Sequence, residues 1–399
     1  MIPNKNQPKN IYKIASFEEI QIKVPWGHIS AKKFPRLKEL SKSTCSSDED
    51  QTHQADPQPF DKSLPVLCFH GWLDNAGTFD RLIPLIQDVH PDLEFYSFDW
   101  PGHGKSSNRP DSIYTNSSIY ISDIARIVNY MNLDKTGFNG MGHSMGGNAL
   151  CAYACVFPNK IRNLVRIESE GYEPINRNVS GFAEDLESGY MNKFLKRAIE
   201  TQIAYDNSFK SRPTNEYTFE EAKSRLMKGS NFGGYQVGSS VDEDHIHIML
   251  ERGLRPGEID KNKFCFTRDV KLILPSFPFF TVEIGHNLLK NGYKHNTHNE
   301  LQIQANYNCW YDMTINKNPK IYEDFYKNFD QISLYSQNRN YHLVCAEGNH
   351  HLHLNHPEVF IEKLNAWIGN TRDRSFAIDG LVLRDLRTSK ELKDKCGLA

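Results

Sequence analysis

Between Phe17 and Phe34 apolar and polar residues alternate in EEIQIKVPW and GHISAKKF around a Trp-Gly-His turn. That period of two predicts an antiparallel hairpin with one buried face. Residues 36–63 carry almost no apolar side chains, so their burial cannot offset the entropy of ordering them, and a mobile surface loop is expected. At Leu64 the pattern changes. LPVLCFHG (64–71) is a continuous apolar run, NAGTFDRLIPLIQDV (75–89) has helical spacing, and LEFYSFDWPGHG (93–104) is a second apolar run closed by glycines. The order strand, helix, strand repeats: an amphipathic helix at 117–133, a short strand at 136–141, a small-residue helix at 144–157 and a strand at 160–169. Such alternation predicts parallel βαβ units and the α/β class.

After Gly171 the alternation gives way to a polar, aromatic stretch to about Thr297, whose segments FLKRAIETQIAY, FEEAKSRLMKG and DHIHIMLERGL read as helices. This is expected to be an inserted helical cap. The α/β theme returns with a strand at 301–307, a helix near 321–329, a strand at 341–348 and a helix at 357–368. The tail from 371 to 399 is weakly patterned. The expected organisation is therefore a core in two parts, 1–170 and 298–370, with a cap at 171–297.

Charge and composition then narrow the function. Lys and Arg number 47 against 49 Asp and Glu, a net charge of −2, so no broad positive field is available for nucleic acid. Apolar residues are 39% of the chain, enough for a core. The eight cysteines form no CxxC pair and no dense framework, so reduced, buried thiols are expected. The N-terminal residues lack an apolar signal-like stretch and no run reaches the ~18 apolar residues of a membrane span; together these predict a soluble cytoplasmic protein.

The sharpest chemical signal is Gly142-His143-Ser144-Met145-Gly146-Gly147, a G-x-S-x-G pattern between a predicted strand and a predicted helix. That context makes a nucleophile elbow, where glycines remove the side chains that would collide and the serine hydroxyl is left exposed. A serine needs a base, and His350 is the candidate. It follows the strand YHLVCAEG, at the sheet edge where open α/β sites assemble, and it lies after the serine in chain order. His351 is the alternative base, while the remaining imidazoles of HHLHLNH read as packing or surface residues, because no metal-ligand spacing accompanies them. The third member should be a carboxylate that orients the imidazole. No acid stands at the tip of LQIQANY, whereas LVRIES ends in Glu168, so Glu168 is favoured, with Asp312 and Glu170 as alternatives. The backbone N–H groups of Met145 and Trp72 are expected to bind the oxyanion. Asp99-Trp100-Pro101-Gly102-His103-Gly104-Lys105-Ser106 lacks both phosphate-binding glycine spacings and reads as a structural loop. Asp244-His245-Ile246-His247 reads as a solvated face.

The stretch His70-Gly71-Trp72-Leu73-Asp74-Asn75-Ala76-Gly77-Thr78-Phe79-Asp80, the Asp99–Ser106 loop, GHSMGG, Phe266-Thr267-Arg268-Asp269 and the Gly348–Asn355 segment together resemble the serine hydrolase-like family of the α/β-hydrolase superfamily, over about residues 18–368. The resemblance implies an α/β-hydrolase fold with a cap, a nucleophile at Ser144 and a base at His350. It also implies an esterase, with peroxisomal or perinuclear association in some members, and the residues and the resemblance together predict a serine hydrolase for a small-molecule carboxylic ester or thioester, with no cofactor and no metal. The C-terminal KCGLA is not an SKL-type address. The 36–63 insertion is longer than the family's usual loop, and the missing acid after 301–307 departs from its pattern. That departure motivates a second reading, a non-catalytic scaffold binding a ligand or protein partner.

Overall fold

A computed structural model describes residues 16–38, 60–109, 114, 117–169, 190–209, 215–228, 230–232, 235–237, 240–274, 288, 291–292, 296–305, 341–369 and 381–382. Most of the expected loop at 36–63, the helix expected near 321–329, and both Glu170 and Asp312 lie outside the described residues.

The N-terminal hairpin forms as the alternation requires. Strands β1 (Glu18–Val24) and β2 (Gly27–Phe34) pair antiparallel with Ile22 opposite Ile29, both buried. The apolar runs become β3 (Val66–Phe69), β4 (Phe95–Phe98), β5 (Phe138–His143) and β6 (Ile161–Ile167). Between them lie α1 (Leu82–Val89), α2 (Ser117–Tyr130) and α3 (Met145–Val156). The helix expected over 75–89 is broken in two: Asn75 caps a 3-10 turn over Ala76–Phe79, accepting from Gly77 N–H, before α1 begins. An asparagine side chain that satisfies the backbone locally competes with a continuous helix.

The inserted region contains α4 (Tyr190–Phe209), α5 (Phe219–Met227) and α6 (Ile246–Gly253). It also holds two short antiparallel pairs, β7 (Ser230–Phe232) with β8 (Tyr235–Val237) and β9 (Leu254–Pro256) with β10 (Phe264–Phe266). A purely helical reading of this region is thereby corrected: three-residue strands are too short for an alternation to show in sequence. The chain then supplies β11 (Asn299–Ala305), β12 (Tyr341–Ala346), α7 (Leu352–Asn355), α8 (Pro357–Gly369) and β13 (Leu381–Val382).

Among the described residues nine strands form one sheet in the order β1-β2-β4-β3-β5-β6-β11-β12-β13. Its six inner strands run parallel, and the pairs β1/β2, β2/β4 and β12/β13 are antiparallel. Successive residues of β3 serve opposite faces. Val66 and Cys68 join a core with residues of α1 and α8, including Ile83, Phe360 and Trp367. Leu67 and Phe69 join another with residues of α2 and α3, including Ile124 and Leu150. This two-faced burial explains the continuous apolar runs. It also fixes where chemistry can sit, because the parallel strands deliver their C-terminal ends to one edge. Among the described residues no helix is long and apolar enough to cross a membrane.

Candidate active site

At the end of β5 the register pairs His143 with Ile167 of β6, and Ile167 in turn with Ile303 of β11. Ser144 and Glu168 therefore leave neighbouring strands side by side. Both have left-handed backbone, φ 49° in each case. Ser144 N–H donates to Ile167 O at 2.9 Å, and Glu168 N–H donates to Ile303 O at 2.9 Å, so the bonds between strands hold both residues in a conformation that costs about 1–3 kcal/mol. Only a residue without a side chain fits at Gly146, where a Cβ would lie 2.1 Å from Phe69 O. The start of α3, with Met145, is thus pressed against the end of β3.

His350 follows β12 and its Nδ1 lies 3.1 Å from Glu168 Oε2. Glu168 is 4% exposed. Its Oε1 accepts from Ala305 N–H, so the last residue of β11 orients the carboxylate without supplying one. The backbone of His350 is fixed as well: its carbonyl accepts from His143 Nε2–H at 2.8 Å. Ser144, Glu168 and His350 are thereby brought to one sheet edge.

The loop after β3 is braced by two buried histidines. His70 accepts from Trp100 N–H at 3.1 Å and donates from Nδ1 to Gly71 O at 2.7 Å. His103 accepts from Leu73 N–H at 3.2 Å, where Leu73 has φ 64°. Burial pushes both imidazoles below their usual pKa, which keeps them neutral and able to accept. Trp72 lies between these fixed points, and its indole N–H donates to Leu272 O in the inserted region at 3.3 Å. The Asp99–Ser106 loop is structural, as expected. Buried Asp99 accepts from Ala76 N–H and Lys105 N–H and is paired with Arg252 of α6. In the Asp244–His247 stretch, His247 is exposed but His245 is buried, so a wholly solvated face is corrected: the first turn of α6 packs His245 inward.

Sequence reasoning missed a second cluster adjoining His350. Asp74 Oδ2 lies 3.0 Å from His351 Nε2 and 3.2 Å from His143 Nδ1. His351 Nδ1 lies 2.6 Å from Ser240 Oγ, and the ring of buried His353 is 4.3 Å from that of His143. Burial pushes His143 down to about 3, against the pull of Asp74. Burial also opposes ionisation of Asp74, but His351 and His143 outweigh it and hold the carboxyl well below its usual range. The participants come from four separate segments, so no local spacing marks them.

A family model described as alpha/beta hydrolase fold matches residues 65–226. A serine hydrolase-like protein of Danio rerio is 30% identical over 300 residues, which cover 74% of this chain and 78% of that protein. The chain belongs to the serine hydrolase-like family. Another serine hydrolase-like protein, from Homo sapiens, is 32% identical over 210 residues, 52% of this chain and 82% of the other. The fold of this serine hydrolase-like chain is the α/β-hydrolase fold, shared with a hypothetical protein of Pseudomonas aeruginosa at 21% identity. That likeness has a TM-score of 0.59 and covers 86% of this chain and 98% of the other. In this serine hydrolase-like chain the stretches HGWLDNAGTFD and GHSMGG thus leave the ends of the paired strands β3 and β5, where Gly146 lies against Phe69 O.

Proposed function

We propose that this protein hydrolyses carboxylic esters or thioesters through an acyl-enzyme, with Ser144 as nucleophile, His350 as base and Glu168 as the carboxylate that orients it. The observation carrying this reading is the 3.1 Å contact of His350 Nδ1 with buried Glu168, one strand over from the strained Ser144. Ser144 Oγ attacks the carbonyl carbon while His350 Nε2 takes its proton. The tetrahedral intermediate collapses as His350 returns that proton to the departing alcohol or thiol. Water, deprotonated by the same imidazole, then attacks the acyl-serine; as that intermediate collapses the acid leaves and His350 returns the proton to Ser144 Oγ. Glu168, accepting from Nδ1–H, fixes the tautomer and stabilises the imidazolium at both stages. The N–H groups of Met145 and Trp72 receive the oxyanion, an arrangement worth several kcal/mol at the transition state. No cofactor enters any step.

Residues 171–297 act in this proposal as a cap. Support comes from contacts to the loop after β3 and to the histidine segment: Met249 O accepts from Asn75 Nδ2 at 2.9 Å, and Ser240 reaches His351. A fluorophosphonate probe tests the reading. The folded protein is expected to be labelled and Ser144→Ala is not; an intact protein that stays unlabelled would overturn it in favour of a binding scaffold.

A further inference from the structure

The cluster adjoining His350 has a property that the hydrolytic reading does not use. His143 Nε2 faces the carbonyl of His350, which only accepts, so Nε2 carries the proton and Nδ1 presents a lone pair. That Nδ1 is fully buried, forms no hydrogen bond, and lies 3.2 Å from a carboxylate oxygen. Two lone-pair atoms therefore face each other at that distance. The same Asp74 oxygen lies 3.0 Å from His351 Nε2.

We propose that Asp74 Oδ2, His143 Nδ1 and His351 Nε2 form a binding site for a divalent transition-metal ion of the zinc class. Ligand atoms at about 2.0–2.2 Å from a tetrahedral zinc ion stand roughly 3.3 Å apart, and the two separations at Asp74 Oδ2 are 3.2 and 3.0 Å. All three donor atoms lie within 4.8 Å of one another. Metal-ligating histidines give their other nitrogen to a hydrogen-bond partner. Both rings have one here, His143 at His350 O and His351 at Ser240 Oγ. Gly71 keeps the cradle open, for a Cβ there would stand 3.0 Å from His143 Nδ1 and 3.1 Å from Asp74 Oδ2. Two imidazoles and one carboxylate suit zinc or its first-row neighbours rather than calcium or magnesium, which take oxygen ligands. The expectation of no metal rested on spacing within HHLHLNH alone, whereas these donors come from the loop after β3, from β5 and from the segment before α7.

The ion ties the segment bearing His350 to the strand bearing Ser144, and the site stands whether or not the protein is a hydrolase. Chelator-stripped full-length protein titrated with Zn²⁺ is expected to bind one equivalent. At about a hundredfold excess over the dissociation constant its melting temperature is expected to rise by about 3 °C. Asp74→Asn and His351→Gln are expected to weaken binding about a hundredfold or more. Gly71→Ala, which keeps every ligand but crowds the cradle, is expected to weaken it as well. X-ray absorption of the wild-type Zn²⁺ complex requires no variant to fold, and is expected to show two imidazoles with an oxygen ligand. Zero stoichiometry, a metal shell without imidazole, or binding unchanged in folded Asp74→Asn and His351→Gln overturns the proposal; the first would mean that a proton bridges Asp74 and His143 instead.

Discussion

Glu168→Gln keeps the side chain's volume and an acceptor for Ala305 N–H, but removes the charge that faces His350 Nδ1. In the proposed mechanism the imidazolium then loses its counter-ion and the tautomer is no longer fixed. Turnover is expected to fall by about three to four orders of magnitude, with little change in thermal stability. Steady-state kinetics on a simple aryl ester checks this, and a loss under tenfold would remove Glu168 from the proposed role. Of the residues in the proposed mechanism, Ser144 and His350 are announced locally in the sequence, one by a glycine-flanked turn and the other by its place after a strand. Glu168 is favoured in the sequence only by default, because LQIQANY has no acid at its tip while LVRIES ends in one. In the structure the backbone N–H of Ala305, the last residue of β11, donates to Glu168 on the next strand, a tertiary contact that no local spacing announces. Asp74, His143 and His351 gave no signal, because tertiary contact alone makes them a group.

Arg252, near the end of α6, links the inserted region to the sheet. Its guanidinium contacts both oxygens of buried Asp99, at 3.0 and 2.8 Å, and also Glu19 of β1. Removing one partner of a buried pair strands the other charge. Arg252→Ala is therefore expected to cost about 3 kcal/mol, the lower part of the usual range, because Asp99 keeps its two backbone donors. Arg252→Lys is expected to recover only part of it, lacking the planar fork. Urea unfolding with the slope held constant reads both, and a neutral Arg252→Ala would show that α6 is not anchored through this pair. At this scale the sequence was informative about strands and core helices, where apolar runs of four to eight residues bury on both faces. It was less informative where local side chains rewrite the backbone, as at Asn75, or where strands of three residues hide in a polar context.

For the molecule as a whole, burial and pairing set the response to acid. Burial pushes Glu300 up, but Arg166, 2.6 Å away, and His298 outweigh it and hold it at about 2. A carboxyl whose folded pKa lies below its unfolded value of about 4.3 contributes stability that is present above that pH and lost as pH falls toward 2. Buried His70 and His103 are depressed too, so the unfolded chain takes up protons first as pH drops below about 6.5. Stability is expected to decline gently from pH 6.5 and more steeply below about 4.5, with Glu300→Gln flattening the lower limb. Urea midpoints across that range check it, and a flat profile between pH 6.5 and 5 would count against the neutral histidines. Among the described residues the sheet has two terminating strands. On one side the outermost strand is β1, whose Glu18 and Glu19 are exposed; on the other, β13 pairs with Leu343 and Val344 of β12. A bare parallel edge would offer unpaired amides to a second molecule. The least patterned stretch of the chain, beyond α8, thereby supplies a cover: two of its residues, Leu381 and Val382, lie along the flank of β12 that would otherwise be a bare parallel edge.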